Sequence, residues 1–249
     1  AEKGFFTLAA EPDKATAKVN GKDEKLATLT VKQGYKFSLP VRVNWAAGDK
    51  QPVTLTAEPV TQSQQANPIL VQVPAQPTKD KPEAVANFDV KANAPPGTYS
   101  VVLKGVAQVP FARPGPGGGM AKGGNVPAEG FTDPILVMVV PTALAKVTAG
   151  PLPNNTLKPD TNTDLPVRVE RLYDFAGEFK VKFVPADAKA GVTAEEVTIP
   201  TGENQAKLTL VTAKDAKPGM LAGVIVVTAV YADNHTITHE NKVGFTVAK

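Results

Sequence analysis

Leu39-Pro40-Val41-Arg42-Val43 returns unchanged as Leu165-Pro166-Val167-Arg168-Val169. Each copy is followed by a second landmark, Ala94-Pro95-Pro96-Gly97 and Ala216-Lys217-Pro218-Gly219. Each of these opens a run of β-forming residues, 98–109 and 220–231. Two landmarks in one order at nearly one separation predict a module used in tandem, with domains over 1–142 and 143–249. Each is long enough to bury a core of its own.

The 23 prolines and 20 glycines among 249 residues punctuate the chain at the spacing of short strands joined by turns. Residues 25–31 and 35–45 alternate apolar and polar side chains, which puts Tyr35, Phe37, Leu39, Val41, Val43 and Trp45 on one inward face. Pro40 has no N–H, so it needs a bulge or a place where the donor would face away from a partner. Further strands are expected over 53–57, 69–73, 84–90, 98–109 and 134–140, with 4–10 as an added edge strand. The second half repeats the scheme over 145–149, 163–172, 178–184, 195–199, 205–211, 220–231 and 236–247. About seven antiparallel strands per module, with no helix to cover a sheet, predict a two-layer β-sandwich.

The passage from Gly191-Val192-Thr193-Ala194-Glu195-Glu196-Val197-Thr198-Ile199-Pro200 through Ala206-Lys207-Leu208-Thr209-Leu210 to Ala216-Lys217-Pro218-Gly219 resembles bacterial Ig-like modules. Such modules are appended to secreted hydrolases and strung through cell-surface proteins. In the first half, Ala94-Pro95-Pro96-Gly97-Thr98-Tyr99 takes the role of their turn into the long penultimate strand. The resemblance implies an all-β chain of two tandem Ig-like antiparallel β-sandwiches and says little about function. Tyr99 stands where Ig sandwiches place a tyrosine whose hydroxyl bonds backbone upstream; the second half has Leu221 near that position.

The halves differ most before their last strand. Residues 232–235 are a short connection, whereas 110–133 form a long, glycine-rich one, expected to be a loop insertion used for contact. Its Lys122 follows Ala121 and precedes Gly123, so the Gly-Lys-Ser/Thr run and the following helix of a phosphate-binding loop are both missing. Phe111, Arg113, Met120, Lys122 and Phe131 are the candidate partner-binding residues there.

Other chemistry is sparse. Asp160, Asn162 and Asp164 alternate like the first half of a calcium loop, but Leu165 replaces the turn glycine and Arg171 the bidentate glutamate. They are the candidate metal ligands, and calcium is the one cofactor the pattern leaves open. His235 and His239 lie on a predicted hairpin, where residues four apart stand about 13 Å apart, too far for joint chelation. The serines Ser38, Ser63 and Ser100 have no nucleophile-elbow context. Phe5, Phe6, Phe111, Phe131 and Tyr173 are the aromatics free for a sugar platform.

Zero cysteines exclude disulfides, thiol catalysis and cysteine metal sites. Ala1 in place of Met, with no apolar leader, is what signal-peptidase cleavage leaves and points to export, to the periplasm or the cell surface. No run approaches the ~18 apolar residues of a membrane span. The net charge of +3 comes from 15 Lys/Arg against 12 Asp/Glu in 1–142 and 12 against 12 in 143–249. These charges are scattered, which argues against nucleic acid as a partner. The sequence therefore predicts no catalytic residues. Its reading is a structural or adhesive subunit or spacer, taking protein partners of a surface or periplasmic assembly through sheet edges and the 110–133 segment. The alternative is a carbohydrate- or substrate-binding accessory module of a secreted enzyme, with glycan as the partner.

Overall fold

The computed structural model describes residues 5–19, 22–46, 50–58, 67–114 and 120–249. The chain divides into two compact units, Ala1–Val140 and Pro141–Lys249, each with a separate apolar core. Both are Ig-like β-sandwiches.

The first unit contains β1 (Phe6–Ala10), β2 (Thr16–Val19), β3 (Lys22–Lys25), β4 (Thr30–Lys32), β5 (Lys36–Trp45), β6 (Val53–Glu58), β7 (Ile69–Gln72), β8 (Glu83–Val90), β9 (Gly97–Pro114), β10 (Met120–Phe131) and β11 (Ile135–Val140). A six-stranded sheet runs β3-β2-β5-β8-β7, with β1 also on β5. A five-stranded sheet runs β10-β9-β11-β4, with β6 also on β9. The inward parity of β5 buries Phe37, Leu39, Val41 and Val43, and β8 answers with Ala84, Ala86, Phe88 and Val90. Phe37 and Phe88 are register partners and stack at 4.6 Å.

The second unit contains β12 (Ala145–Ala149), β13 (Thr156–Leu157), β14 (Thr161–Arg171), β15 (Phe179–Pro185), β16 (Val192–Ala194), β17 (Val197–Ile199), β18 (Gln205–Thr212), β19 (Gly219–Tyr231) and β20 (His235–Val247). Its sheets run β12-β14-β18-β16 and β13-β20-β19-β15-β17. In both units the first, second, fifth and fourth strands of the Ig order share one sheet and the third, sixth and seventh the other. In both, a short strand pairs parallel to the last strand of that second sheet: β4 on β11, and β13 on β20.

This strand switch explains the repeated pentapeptide. Pro40 and Pro166 sit in the middle of β5 and β14. The neighbouring first strand ends beside each of them: Glu11 N donates to Pro40 O (3.0 Å) and Gly150 N to Pro166 O (2.9 Å). In an antiparallel ladder a residue's N and O face the same edge. The missing N–H of each proline therefore points to where the first strand leaves the sheet and no acceptor is offered. The second landmark is equally concrete. Ala94 and Ala216 are buried, and Gly97 and Gly219 open β9 and β19 at φ of 149° and 124°, a region open to glycine at no steric cost.

Three expectations change. Residues 25–31 are not one strand: β3 and β4 belong to different sheets, and the chain crosses between layers with Leu26 and Leu29 packed on the core. Phe6 is not a free aromatic, being 3% exposed in the core. The segment 110–133 is not a loop insertion over most of its length. Pro110–Pro114 continues β9, and β10 pairs antiparallel with it from Met120↔Pro114 to Phe131↔Lys104. Cross-strand pairing satisfies the backbone there, and a glycine- and proline-rich composition gives hydrophobic periodicity nothing to read.

Candidate partner-binding hairpin

β9 is 18 residues long, and β6 covers it only up to Ala107. Beyond that point, among the described residues, β9 and β10 form a two-stranded hairpin. Counting from the end of that cover, Pro114 lies about 23 Å further along the strand. The register shifts between Lys122 and Asn125, around Gly123 and Gly124, as at a bulge, which sharpens local twist.

The root of the hairpin is held from inside. Gly105 and Gly130 face each other across the ladder. A Cβ on Gly130 would stand 2.8 Å from Phe6 Cε2, and one on Gly105 3.1 Å from the same atom and 2.9 Å from Val53 Cγ1. The two glycines form a notch that the Phe6 ring fills, so the N-terminal strand clamps the hairpin base. Between β10 and β11, Thr132 completes the ladder, its N donating to Leu103 O (2.9 Å) and its Oγ1 accepting from Leu103 N (3.0 Å). Below it, Tyr99 Oη donates to Pro95 O at 2.6 Å, and burial pushes its phenol up. This is the tyrosine corner that the sequence expectation described.

The outward face of the root is apolar and charged in alternation. Val102, Lys104 and Val106 lie on the outward parity of β9. Phe131, paired with Lys104, is 52% exposed, and Leu136 on β11 is 60% exposed. Lys104 Nζ stands 5.7 Å from the Phe131 ring centroid and 2.9 Å from Glu129 Oε1. Hydrogen bonding to Glu129 raises the Lys104 pKa above its ordinary value.

The open edge of β10 is equally particular. Thr132 bonds inward, so alternation makes residues 130, 128 and 126 face β9 and residues 131, 129, 127 and 125 face out. Pro127 therefore sits where an outward N–H would be. Among the described residues β10, at 12 residues, pairs with β9 alone; the strands that end the other sheet orders run from two to six, and β20 is likewise uncovered on its outer side before Thr246. One of those, β3, reads Lys-Asp-Glu-Lys. Short or charged edges resist unplanned pairing. β10 is long, uncharged at its centre and interrupted by a single missing donor.

Of the candidate partner residues, Phe131 lies at the root of this surface. Phe111 and Arg113 are on β9 and Met120 and Lys122 on β10, and their side chains lie outside the described residues. Sequence reasoning missed Val102, Lys104 and Leu136, although apolar residues on the outward parity of 98–109 and 134–140 were a signal for Val102 and Leu136. The candidate metal residues follow a different course. Asp160 precedes β14 at φ 56°. Asn162 and Asp164 lie on β14, and Asp164 accepts from Thr209 Oγ1 (2.9 Å) and stands 3.7 Å from Lys207 Nζ. Among the described residues, no three His, Asp or Glu side chains converge on a metal-sized site. His235 and His239 both lie on β20, which turns back on β19. Among the described residues, no helix is long and apolar enough to cross a membrane.

No protein-family model matches the chain, and no curated protein resembles it significantly in sequence. Among solved structures, a marsupial T cell receptor is similar with a TM-score of 0.40 at 8% identity, over 98% of this chain and 73% of the receptor chain.

Proposed function

We propose that this chain is a non-catalytic structural or adhesive subunit or spacer of an exported bacterial assembly, and that it takes up protein partners through the β9–β10 hairpin. The observation that carries this reading is the hairpin itself: a long ribbon, open along one edge, with an exposed Phe131–Lys104–Glu129 group at its root. An open strand edge supplies main-chain hydrogen bonds, and the outward side chains supply selectivity. Pro127 limits how an incoming strand can pair and so favours a cognate partner over indiscriminate edge association. The resemblance to Ig-like modules of secreted and cell-surface proteins supports the exported part of the reading.

Residues 109 and 126 are cross-strand partners on the parity that bonds across the ladder, so replacing 110–125 by Asn-Gly closes the hairpin with a two-residue turn. The shortened protein is expected to keep its thermal midpoint within a few degrees. It is also expected to lose the proteins that co-purify with the full chain from its own cell envelope. Undiminished recovery of those proteins would sink the reading.

A further inference from the structure

The outward face of the six-stranded sheet, on the layer opposite the hairpin, carries a trough of about 390 Å³. That volume is within the range of small-ligand sites. Its floor is set by register. Thr16 on β2 faces Ser38 on β5, Ser38 faces Asn87 on β8, and Asn87 faces Gln72 on β7. Four neutral side chains thus form one row across four strands, at the roughly 4.8 Å spacing of neighbouring strands.

Hydroxyls and primary amides each donate and accept. Ser38 Oγ donates to Asn87 Oδ1 (2.9 Å), which orients that amide and engages its oxygen rather than its NH2 donors. The adjoining row is charged but balanced: Lys36 Nζ is 2.6 Å from Asp89 Oδ2, and Lys18 is the register partner of Asp23. Two lysines and two aspartates line the trough, so its formal charge is zero and gives no strong preference for an anion or a cation. Leu70, 46% exposed and opposite Asp89, supplies one apolar wall. Directly beneath, the stacked Phe37 and Phe88 lock β5 to β8, so the row is held by packed backbone rather than by a loop.

A ligand matched to this surface is uncharged, rich in groups that both donate and accept, extended over several strands, and partly apolar on one side. We propose that the trough binds a neutral oligosaccharide through the Thr16–Ser38–Asn87–Gln72 row. The site uses residues of the opposite sheet and does not depend on the hairpin reading. It also differs from the aromatic platform considered from sequence, because selection comes from hydrogen bonding rather than ring stacking.

The test is a 15N-detected NMR titration of the full chain with cellopentaose, xylopentaose and mannopentaose in separate experiments, with trigalacturonic acid as an anionic control. At least one neutral sugar is expected to give saturable shifts confined to β2, β5, β7 and β8. Asn87→Ala and Gln72→Ala should each weaken that binding fivefold or more. Both side chains are exposed, so the thermal midpoint should stay unchanged, and a Phe131→Ala control should bind as the parent does. The proposal is overturned by absence of saturable shifts with all three neutral sugars. It is equally overturned by tighter binding of trigalacturonic acid, or by full binding in the Asn87→Ala, Gln72→Ala double variant.

Discussion

Arg171 shows how much one side chain can hold. At the end of β14 its five N–H groups reach the carbonyls of Phe175, Gly177, Pro200 and Glu203 and the amide oxygen of Asn204, at 2.5–3.3 Å. Its guanidinium also lies 4.9 Å from the Phe179 ring centroid. The turn it supports includes Tyr173 and Asp174, both at positive φ, where side-chain-bearing residues are strained. Arg171→Lys keeps the charge but loses the planar fork, and should lower the stability of the second unit by about 1–3 kcal/mol, read as a shift in its urea midpoint. An unchanged midpoint would show the fork to be dispensable. The Phe6 notch gives a sharper test. Gly130→Ala should cost roughly 1–3 kcal/mol through overpacking against the ring, and pairing it with Phe6→Leu should recover part of that loss. If the two effects simply add, the ring and the glycine are not coupled.

Asp187 sets a pH dependence at the same scale. It accepts from Lys189 N (2.8 Å) and pairs with Lys217 Nζ (3.0 Å). The first of these, followed by the second, holds its carboxyl below the ordinary 3.8. A carboxyl lowered on folding stabilises fully above its unfolded value, and that contribution is lost as pH falls through the lowered one. Asp187→Asn should therefore reduce stability near neutral pH, and the gap from the parent should close in strong acid. Urea midpoints across that range would show it, and a gap independent of pH would refute it.

Elements carry the next lesson. Alternation located β5, β8, β14 and β18 because each buries one parity of side chains against a core. It failed at 25–31, where an alternating run spans a crossing between sheets. It failed again at 110–133, where glycine and proline composition mimics a loop while pairing makes a ribbon. The prolines were informative in the right way for β5 and β14: a strand residue without a donor marks where the neighbouring strand departs. Pro166→Ala restores an N–H aimed at that gap. It should lower the urea midpoint of the second unit, with a loss of about 1 kcal/mol or more if the donor stays unpaired. An unaltered midpoint would mean that water satisfies it.

At the scale of the whole chain, the two cores share no residue: the first ends at Val139 and the second begins at Leu144. Produced separately, 1–140 and 141–249 should each show a β-sheet circular dichroism spectrum and a cooperative thermal transition. A unit that melts without cooperativity would mean that it needs its neighbour to fold.

The β-class, the number of modules and most core residues follow from local chemistry, since period-two burial, turn residues and a recurring string act over a few residues at a time. The tertiary structure alone decided the rest. Whether Gly105 and Gly130 meet over Phe6, whether 110–133 is ribbon or loop, and whether Thr16, Ser38, Asn87 and Gln72 form one row all depend on register between strands distant in sequence. Register is set by the packing of both sheets together, so no window of residues contains it.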